Sequence, residues 1–102
     1  MAEKSAADFG ICDVVLEEIC QLAEKYGLKK VLLFGSRARG DFQRASDIDL
    51  AVLGGDVLHF ALDVDEETQT LLEYDIIDLE KPIQEELIEA IQGEGILLYE
   101  KI

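Results

Sequence analysis

The spacing of apolar residues predicts a helix near the start of the chain and a buried strand directly after it. Over residues 8 to 26, apolar side chains recur three and four positions apart, which is the period of one helix face. Gly27 is expected to end this helix, with Leu28 placed for the hydrophobic contact that often accompanies such an end. The unbroken apolar run Val31 to Phe34 then predicts a strand that is covered on both faces.

A second strand, predicted from Asp47 to Leu53, alternates between two kinds of side chain. Alternate residues of a strand lie on the same face of the sheet. The two faces are therefore expected to carry Ile48, Leu50 and Val52 on one side, and Asp47, Asp49 and Ala51 on the other. Aspartate is poorly suited to strands, so a pair of them on one face indicates either a functional site or a merely solvated polar surface.

The second half of the chain predicts a helix, a strand and a closing helix. Residues 57 to 62 indicate a short helix, although the run VLHFALDV would also fit a strand. Residues 71 to 79 predict the third strand. Pro82 is expected in the first turn of the closing helix and Gly93 at its end, which leaves residues 96 to 99 as an apolar tail. The predicted order is helix, strand, short helix, strand, helix, strand, helix.

Length and composition limit this chain to a single small domain that spans residues 1 to 102. Hydrophobic residues make up 49% of the sequence and charged residues 31%, a balance typical of a packed globular protein. The sequence contains no apolar run of the roughly 20 residues that would span a bilayer, and its start resembles no signal peptide. We therefore expect no membrane association and a cytoplasmic location.

The distribution of charge argues against nucleic acid as a partner and in favour of a small polyanion. The formal net charge is −14, which would repel a phosphate backbone. Five of the nine basic residues nevertheless fall between Lys29 and Arg44. An acidic body with one basic spot suits a nucleoside triphosphate held through metal ions, and it also suits a basic protein partner.

Two short motifs in this region carry the candidate chemistry. Gly35 and Ser36 follow a buried strand, and Ser36 is expected as the N-cap of a helical turn that runs through Arg39. Glycine allows a close backbone approach, and a helix start offers unpaired N–H groups to phosphate. The carboxylates of Asp47 and Asp49 could bind one hard cation from the neighbouring strand, and magnesium favours a few carboxylates together with phosphate oxygens.

The run GSRARGDFQRASDID matches the signature of the minimal nucleotidyltransferases in the DNA polymerase β superfamily, some of which act as antitoxins. In that signature Gly-Ser is followed by ten residues and then by Asp-x-Asp, as Gly35 and Ser36 are followed by Asp47 and Asp49. The flanking VLLF and LAV, the later YDIIDL and the final ILLYE extend the resemblance over nearly the whole chain. It implies an α/β (α+β) nucleotidyltransferase fold with a short mixed central sheet flanked by helices. It also implies two magnesium ions and ATP, or another nucleoside triphosphate, as donor.

The resemblance also implies a third carboxylate from a later strand, for which the sequence offers Asp75 and Asp78. Their spacing in a strand places them on opposite faces, so only one of them can join the site. Asp75 corresponds to the family position, which makes Asp47, Asp49 and Asp75 the predicted catalytic and metal-binding set. Asp78 stays the alternative.

The basic residues after the Gly-Ser pair are candidates for binding the triphosphate. Arg37 and Arg39 lie close enough to Gly35 and Ser36 for at least one guanidinium to pair with phosphate oxygens, and the alternative for both is a solvated turn. His59, the single histidine, has no partner that sequence spacing would supply, and we interpret it as structural.

The resemblance implies transfer of AMP to a tyrosine of a helical HEPN-type toxin, with this chain acting as the antitoxin. A chain this short has little room for a lobe that would grip the acceptor, which also favours a separate partner. Two alternatives stay open, namely a non-catalytic subunit that neutralises its partner by contact and an enzyme that modifies a small hydroxylated molecule. The sequence is compatible with a homo-oligomer as well.

Overall fold

The computed structural model of the protein describes residues 9 to 101. The elements from residue 13 onward alternate between helices and short strands, and a four-stranded sheet connects them. They are α1 Asp13–Lys25, β1 Lys30–Phe34, α2 Ser36–Arg39, β2 Ile48–Leu53, α3 Val57–Glu67, β3 Tyr74–Asp78, α4 Glu85–Glu94 and β4 Ile96–Glu100.

The strands form one mixed sheet in the order β3-β2-β1-β4. Strand β1 pairs antiparallel with β2 and with β4, whereas β2 pairs parallel with β3. Helices α1 and α3 cover one face of the sheet and α4 covers the other. The predicted α/β architecture, with a short mixed sheet flanked by helices, is confirmed.

The two faces of β2 are buried as its alternation predicts. Ile48, Leu50 and Val52 are fully buried in the larger core, between the sheet and helices α1 and α3. Ala51 is fully buried on the opposite face, where it packs with Phe34 and Ile91. Because Asp49 precedes Ala51 by two residues, its side chain lies on the face that α4 covers.

The end of the first predicted helix agrees with the structure, whereas its predicted start does not. Gly27 has a left-handed backbone (φ 69°), and the N–H groups of Gly27 and Leu28 donate to the carbonyls of Glu24 and Ala23 at 3.1 and 2.9 Å. This is the Schellman arrangement that the glycine predicts. The helix begins at Asp13 rather than at residue 8, which lies outside the described residues, because Gly10 (φ 68°) interrupts helical backbone.

The C-terminal elements differ most from the prediction. Residues 96 to 99 are not a tail but part of β4, which pairs with β1. Pro82 lies in the loop before α4 rather than in its first turn, and Gly93 lies inside the helix. Gly95 ends the helix instead, where a Cβ atom would stand only 2.3 Å from the Ile91 carbonyl oxygen. The third strand covers Tyr74–Asp78, which is shorter than predicted.

The ambiguous run after Gly55 is helix α3, as predicted. Asp56 caps the helix by accepting a hydrogen bond from the His59 N–H at 3.2 Å. The expectation that sequence spacing supplies no partner for His59 is wrong, because Asp56 lies three residues before it. Its Nδ1 lies 2.5 Å from Asp56 Oδ2, and its exposed ring stacks against Tyr26. No helix within residues 9 to 101 is long and apolar enough to cross a membrane.

Candidate active site

Asp49 and Asp75 lie side by side on adjacent strands. They are register partners in the parallel pairing of β2 with β3, and Asp49 also faces Phe34 of β1 in the antiparallel pairing. Because residues in register on paired strands present their side chains on the same face, both carboxylates lie on the face of the sheet that carries α4. The fold thus places together two acids that are distant in the sequence.

The electrostatics of Asp49 indicate a group of acids whose negative charge is only partly offset by nearby cations. Burial, and after it the nearby carboxylates of Asp75 and Asp47, raise the pKa of Asp49 to about 6. The guanidinium of Arg39 acts against this shift. Asp47 is exposed and immediately precedes β2. A bound cation would relieve the repulsion among these three carboxylates.

The donor set fits magnesium in its chemistry. Carboxylate oxygens are the ligands that magnesium prefers, and it is usually held by one or two of them together with substrate phosphates. Within residues 9 to 101, no three His, Cys, Asp or Glu side chains form a ready-made metal site. The assignment of Asp47, Asp49 and Asp75 as ligands therefore stays a prediction, in which phosphate oxygens would complete the coordination.

Asp78 lies away from this group of acids. It is in register with Val52, on the face of the sheet opposite to Asp49 and Asp75. Its Oδ1 accepts a hydrogen bond from the backbone N–H of Glu80 at 2.9 Å, which closes the turn after β3. This geometry favours Asp75 over Asp78 as the third acid.

Gly35 brings the backbone against Asp49. Its φ of 76° is in the left-handed region, and a Cβ atom at this position would lie 2.1 Å from Asp49 Oδ2. Any other residue would therefore be strained and would collide with the carboxylate. Gly35, rather than Ser36, is the N-cap of α2, and Ser36 is the first helical residue. The expectation that Ser36 caps the helix is wrong, because Gly35 is the residue with non-helical backbone.

Arg37 is buried within the fold. Its guanidinium donates hydrogen bonds at 2.8 to 3.3 Å to the backbone carbonyls of Phe9, Gly10, Arg44 and Ser46. It also lies 4.9 Å from the centroid of the Phe42 ring. Burial lowers the pKa of this guanidinium, and the carboxylates of Asp47 and Asp49 act in the opposite direction.

These contacts favour a structural role for Arg37, which ties residues 40 to 46 to the segment before α1 and so fixes the approach to Asp47. Arg39 is half exposed and remains the candidate for binding phosphate. Its Nε lies 3.2 Å from Asp41 Oδ2, and its Nη1 lies 2.9 Å from Glu94 Oε2.

Glu94 is a member of this site that the sequence analysis missed. The same Oε2 atom accepts a hydrogen bond from the Gly35 N–H at 2.9 Å. Glu94 is the last residue of α4, and 59 positions separate it from Gly35 in the sequence. No motif or spacing in the sequence signals this contact, because it depends on how α4 packs across the sheet.

A cavity of about 680 Å³ lies away from these acids, at the C-terminal end of β3. Its lining includes Leu58, Ile77, Asp78 and Leu87, and it includes none of Gly35, Asp49 and Asp75. The chemistry of the acids and the Gly35 backbone, rather than the size of this cavity, locates the candidate active site.

Comparison with proteins of known sequence finds a relative whose name states an activity. MJ0604 of Methanocaldococcus jannaschii, whose name assigns it to the protein adenylyltransferases, is 37% identical over 65 residues. These residues are 62% of this chain and 63% of the relative, so the chain matches less than two thirds of that protein.

Solved structures of toxin–antitoxin complexes have a similar fold. A complex crystallised with AMP-PNP contains a chain that superposes with a TM-score of 0.69 at 26% identity, over 84% of this chain and 73% of the other. A Tyr-to-Ala mutant of the MntA–HpeT toxin–antitoxin superposes with a TM-score of 0.65 at 26% identity, over 83% and 72% of the two chains.

The family described as polymerase beta, nucleotidyltransferase matches residues 17–102, which include every residue of the candidate site. That match agrees with the resemblance inferred from the Gly-Ser and Asp-x-Asp motifs. The chain therefore belongs to the polymerase β nucleotidyltransferase family.

Proposed function

We propose that this protein transfers a nucleoside monophosphate, AMP from ATP, to an acceptor hydroxyl. The observation that carries the proposal is the register pairing of Asp49 with Asp75 directly beside the Gly35 backbone. The name of MJ0604 and the AMP-PNP in the related complex support adenylate as the transferred group.

In the proposed reaction, Gly35, Ser36 and Arg39 bind the triphosphate. The acceptor oxygen forms a bond to the α-phosphorus, the bond between that phosphorus and the bridging oxygen of the β-phosphate breaks, and pyrophosphate leaves. Asp75 accepts the proton of the acceptor hydroxyl, since its exposed carboxylate lies at the edge of the sheet.

Asp47, Asp49 and Asp75 would hold two magnesium ions. When bound, the ions would activate the acceptor oxygen and stabilise the charge on the departing pyrophosphate. The three carboxylates orient the reacting groups, and the absence of a side chain at Gly35 leaves room for the Asp49 carboxylate.

The acceptor that we propose is a tyrosine of a helical HEPN-type partner, toward which this protein acts as antitoxin. Toxin–antitoxin complexes among the structural relatives support a protein partner, and the net charge of −14 suits a basic one. A reaction that consumes ATP fits the cytoplasm, which is the location that we propose.

Intact-mass spectrometry of the protein with its co-purifying partner, ATP and magnesium tests this proposal. We expect the partner to gain one or more AMP units, and we expect no gain with the double variant Asp49→Asn, Asp75→Asn. An unmodified partner in a stable complex would favour neutralisation by contact alone. Labelled AMP on a small hydroxylated molecule instead would favour the other alternative.

A further inference from the structure

The carboxylate of Glu94 contacts two hydrogen-bond donors that, in the proposed function, bind the triphosphate. Its Oε2 accepts hydrogen bonds from the backbone N–H of Gly35 and from Nη1 of Arg39, both at 2.9 Å. The side chain is only 20% exposed, so it lies in the site rather than in solvent. The two donors come from opposite ends of the segment that contains α2, and a single anionic oxygen joins them.

The position of Glu94 is electrostatically unusual, because it adds an anion to a group that is already acidic. Glu94 lies near enough to Asp49 for its negative charge to raise the pKa of that carboxyl group, as Asp75 and Asp47 also do. A fourth carboxylate beside three others is held there by the donors it binds, and such charge-assisted hydrogen bonds are among the strong ones.

A phosphate oxygen needs the same donors as a carboxylate oxygen. Gly35 has one N–H, and a hydrogen bond to Glu94 at 2.9 Å occupies it. A triphosphate would also bring further negative charge next to the Glu94 carboxylate. Both effects make the contact of Glu94 with Gly35 and the binding of phosphate at Gly35 mutually exclusive.

We propose that Glu94 is a built-in competitor of the triphosphate. In the nucleotide-free protein it occupies Gly35 and Arg39, and a nucleotide binds by displacing it and taking over both donors. This inference rests on the proposed function, because it assumes that the triphosphate binds at Gly35. Glu94 is the last residue of α4, so a change of its side-chain rotamer is enough to release the site.

The nucleotide can bind only to molecules in which Glu94 is away from Gly35. The apparent affinity is therefore the intrinsic affinity multiplied by the fraction of such molecules. Removal of the carboxylate should therefore tighten binding. Replacement by glutamine should tighten it less, since an amide oxygen can still accept from Gly35 but carries no charge.

Calorimetry with AMP-PNP and magnesium, a pair that binds without turnover, tests the inference. We expect Glu94→Ala to bind about tenfold more tightly than the unaltered protein, if Glu94 occupies the site in nine of ten molecules. Glu94→Gln should be intermediate. Glu89→Gln is the matched control, because it removes one exposed carboxylate from the same helix, and it should bind as the unaltered protein does.

The amide resonance of Gly35 provides a readout that does not depend on affinity. In the nucleotide-free state it should shift in Glu94→Ala and stay in place in Glu89→Gln. Equal or weaker AMP-PNP binding by a folded Glu94→Ala would overturn the inference and make Glu94 a residue that positions Arg39. If the unaltered protein and every variant fail to bind AMP-PNP, the proposed function fails, and the inference fails with it.

Discussion

Asp49 and Asp75 are register partners on two parallel neighbouring strands, and Asp49 is in direct proximity to the Gly35 backbone. The sheet therefore assembles two carboxylates and the glycine that we propose to bind phosphate at one point on a single face. The pKa of Asp49 is raised by this burial and by the neighbouring acids. The site has the electrostatic character of a cation-binding site.

The two acids of β3 should differ sharply in function. Asp75→Asn should reduce AMP transfer by about a hundredfold or more, because it removes the proposed metal ligand and proton acceptor. Asp78→Asn is the matched control and should retain most of the activity, since Asp78 lies on the opposite face. A transfer assay with labelled ATP measures both. The reverse ranking would show that Asp78, rather than Asp75, serves the site.

Nucleotide binding should depend on Asp47 and Asp49 only when magnesium is present. Replacement of either by asparagine should weaken magnesium-dependent ATP binding by more than about tenfold, because each variant removes a charged ligand. The fold should persist, since Asp47 is exposed and Asp49 is half-buried. Calorimetry with and without EDTA checks this. Unchanged affinity in both variants would contradict the assigned metal ligands.

The stability of the metal-free protein should fall as pH rises through the titration of Asp49. The pKa of Asp49 is about 6 in the folded chain and about 3.9 in an unfolded one, so between these values the native state binds more protons. The stabilising contribution is complete below pH 4 and is lost by the time pH passes 6. Urea unfolding in EDTA from pH 4 to 7 measures the slope.

Asp49→Asn provides the control for that pH series. It should flatten the slope, and at pH 7 it should be more stable than the unaltered metal-free protein, because it removes the cost of burying a charged carboxylate and the repulsion from Asp75 and Asp47. An identical pH slope in the two proteins would contradict the electrostatic account of Asp49.

Substitution of Arg37 should affect the stability of the protein, whereas substitution of Arg39 should affect the binding of nucleotide. Arg37→Met should lower the free energy of unfolding by about 3 kcal/mol, because it leaves several buried carbonyls without their charged donor. Arg39→Met should leave stability nearly unchanged, since the Arg39 side chain is half exposed and water screens its ion pairs. It should weaken ATP binding instead. Chemical denaturation and calorimetry on both variants distinguish these effects, and normal stability of Arg37→Met would contradict its structural role.

The motif in the sequence was enough to indicate the family, and the local pattern predicted the centre of the candidate site. Gly35 and the Asp47-x-Asp49 pair are signalled by short spacings, because a glycine at a strand end and alternate residues of one strand have geometry that local backbone rules determine. The faces of β2 were predictable for the same reason.

Only the tertiary structure decided the contacts between distant segments. The pairing of Ile96–Glu100 with β1 depends on which edge of the sheet is available to this segment, and no local pattern in the sequence specifies that. Arg37 and Arg39 look alike in the sequence, yet one is enclosed by backbone carbonyls and the other lies at the surface. Glu94 reaches Gly35 because the packing of α4 brings the end of that helix over the sheet, and helix periodicity carries no information about where a helix end will lie.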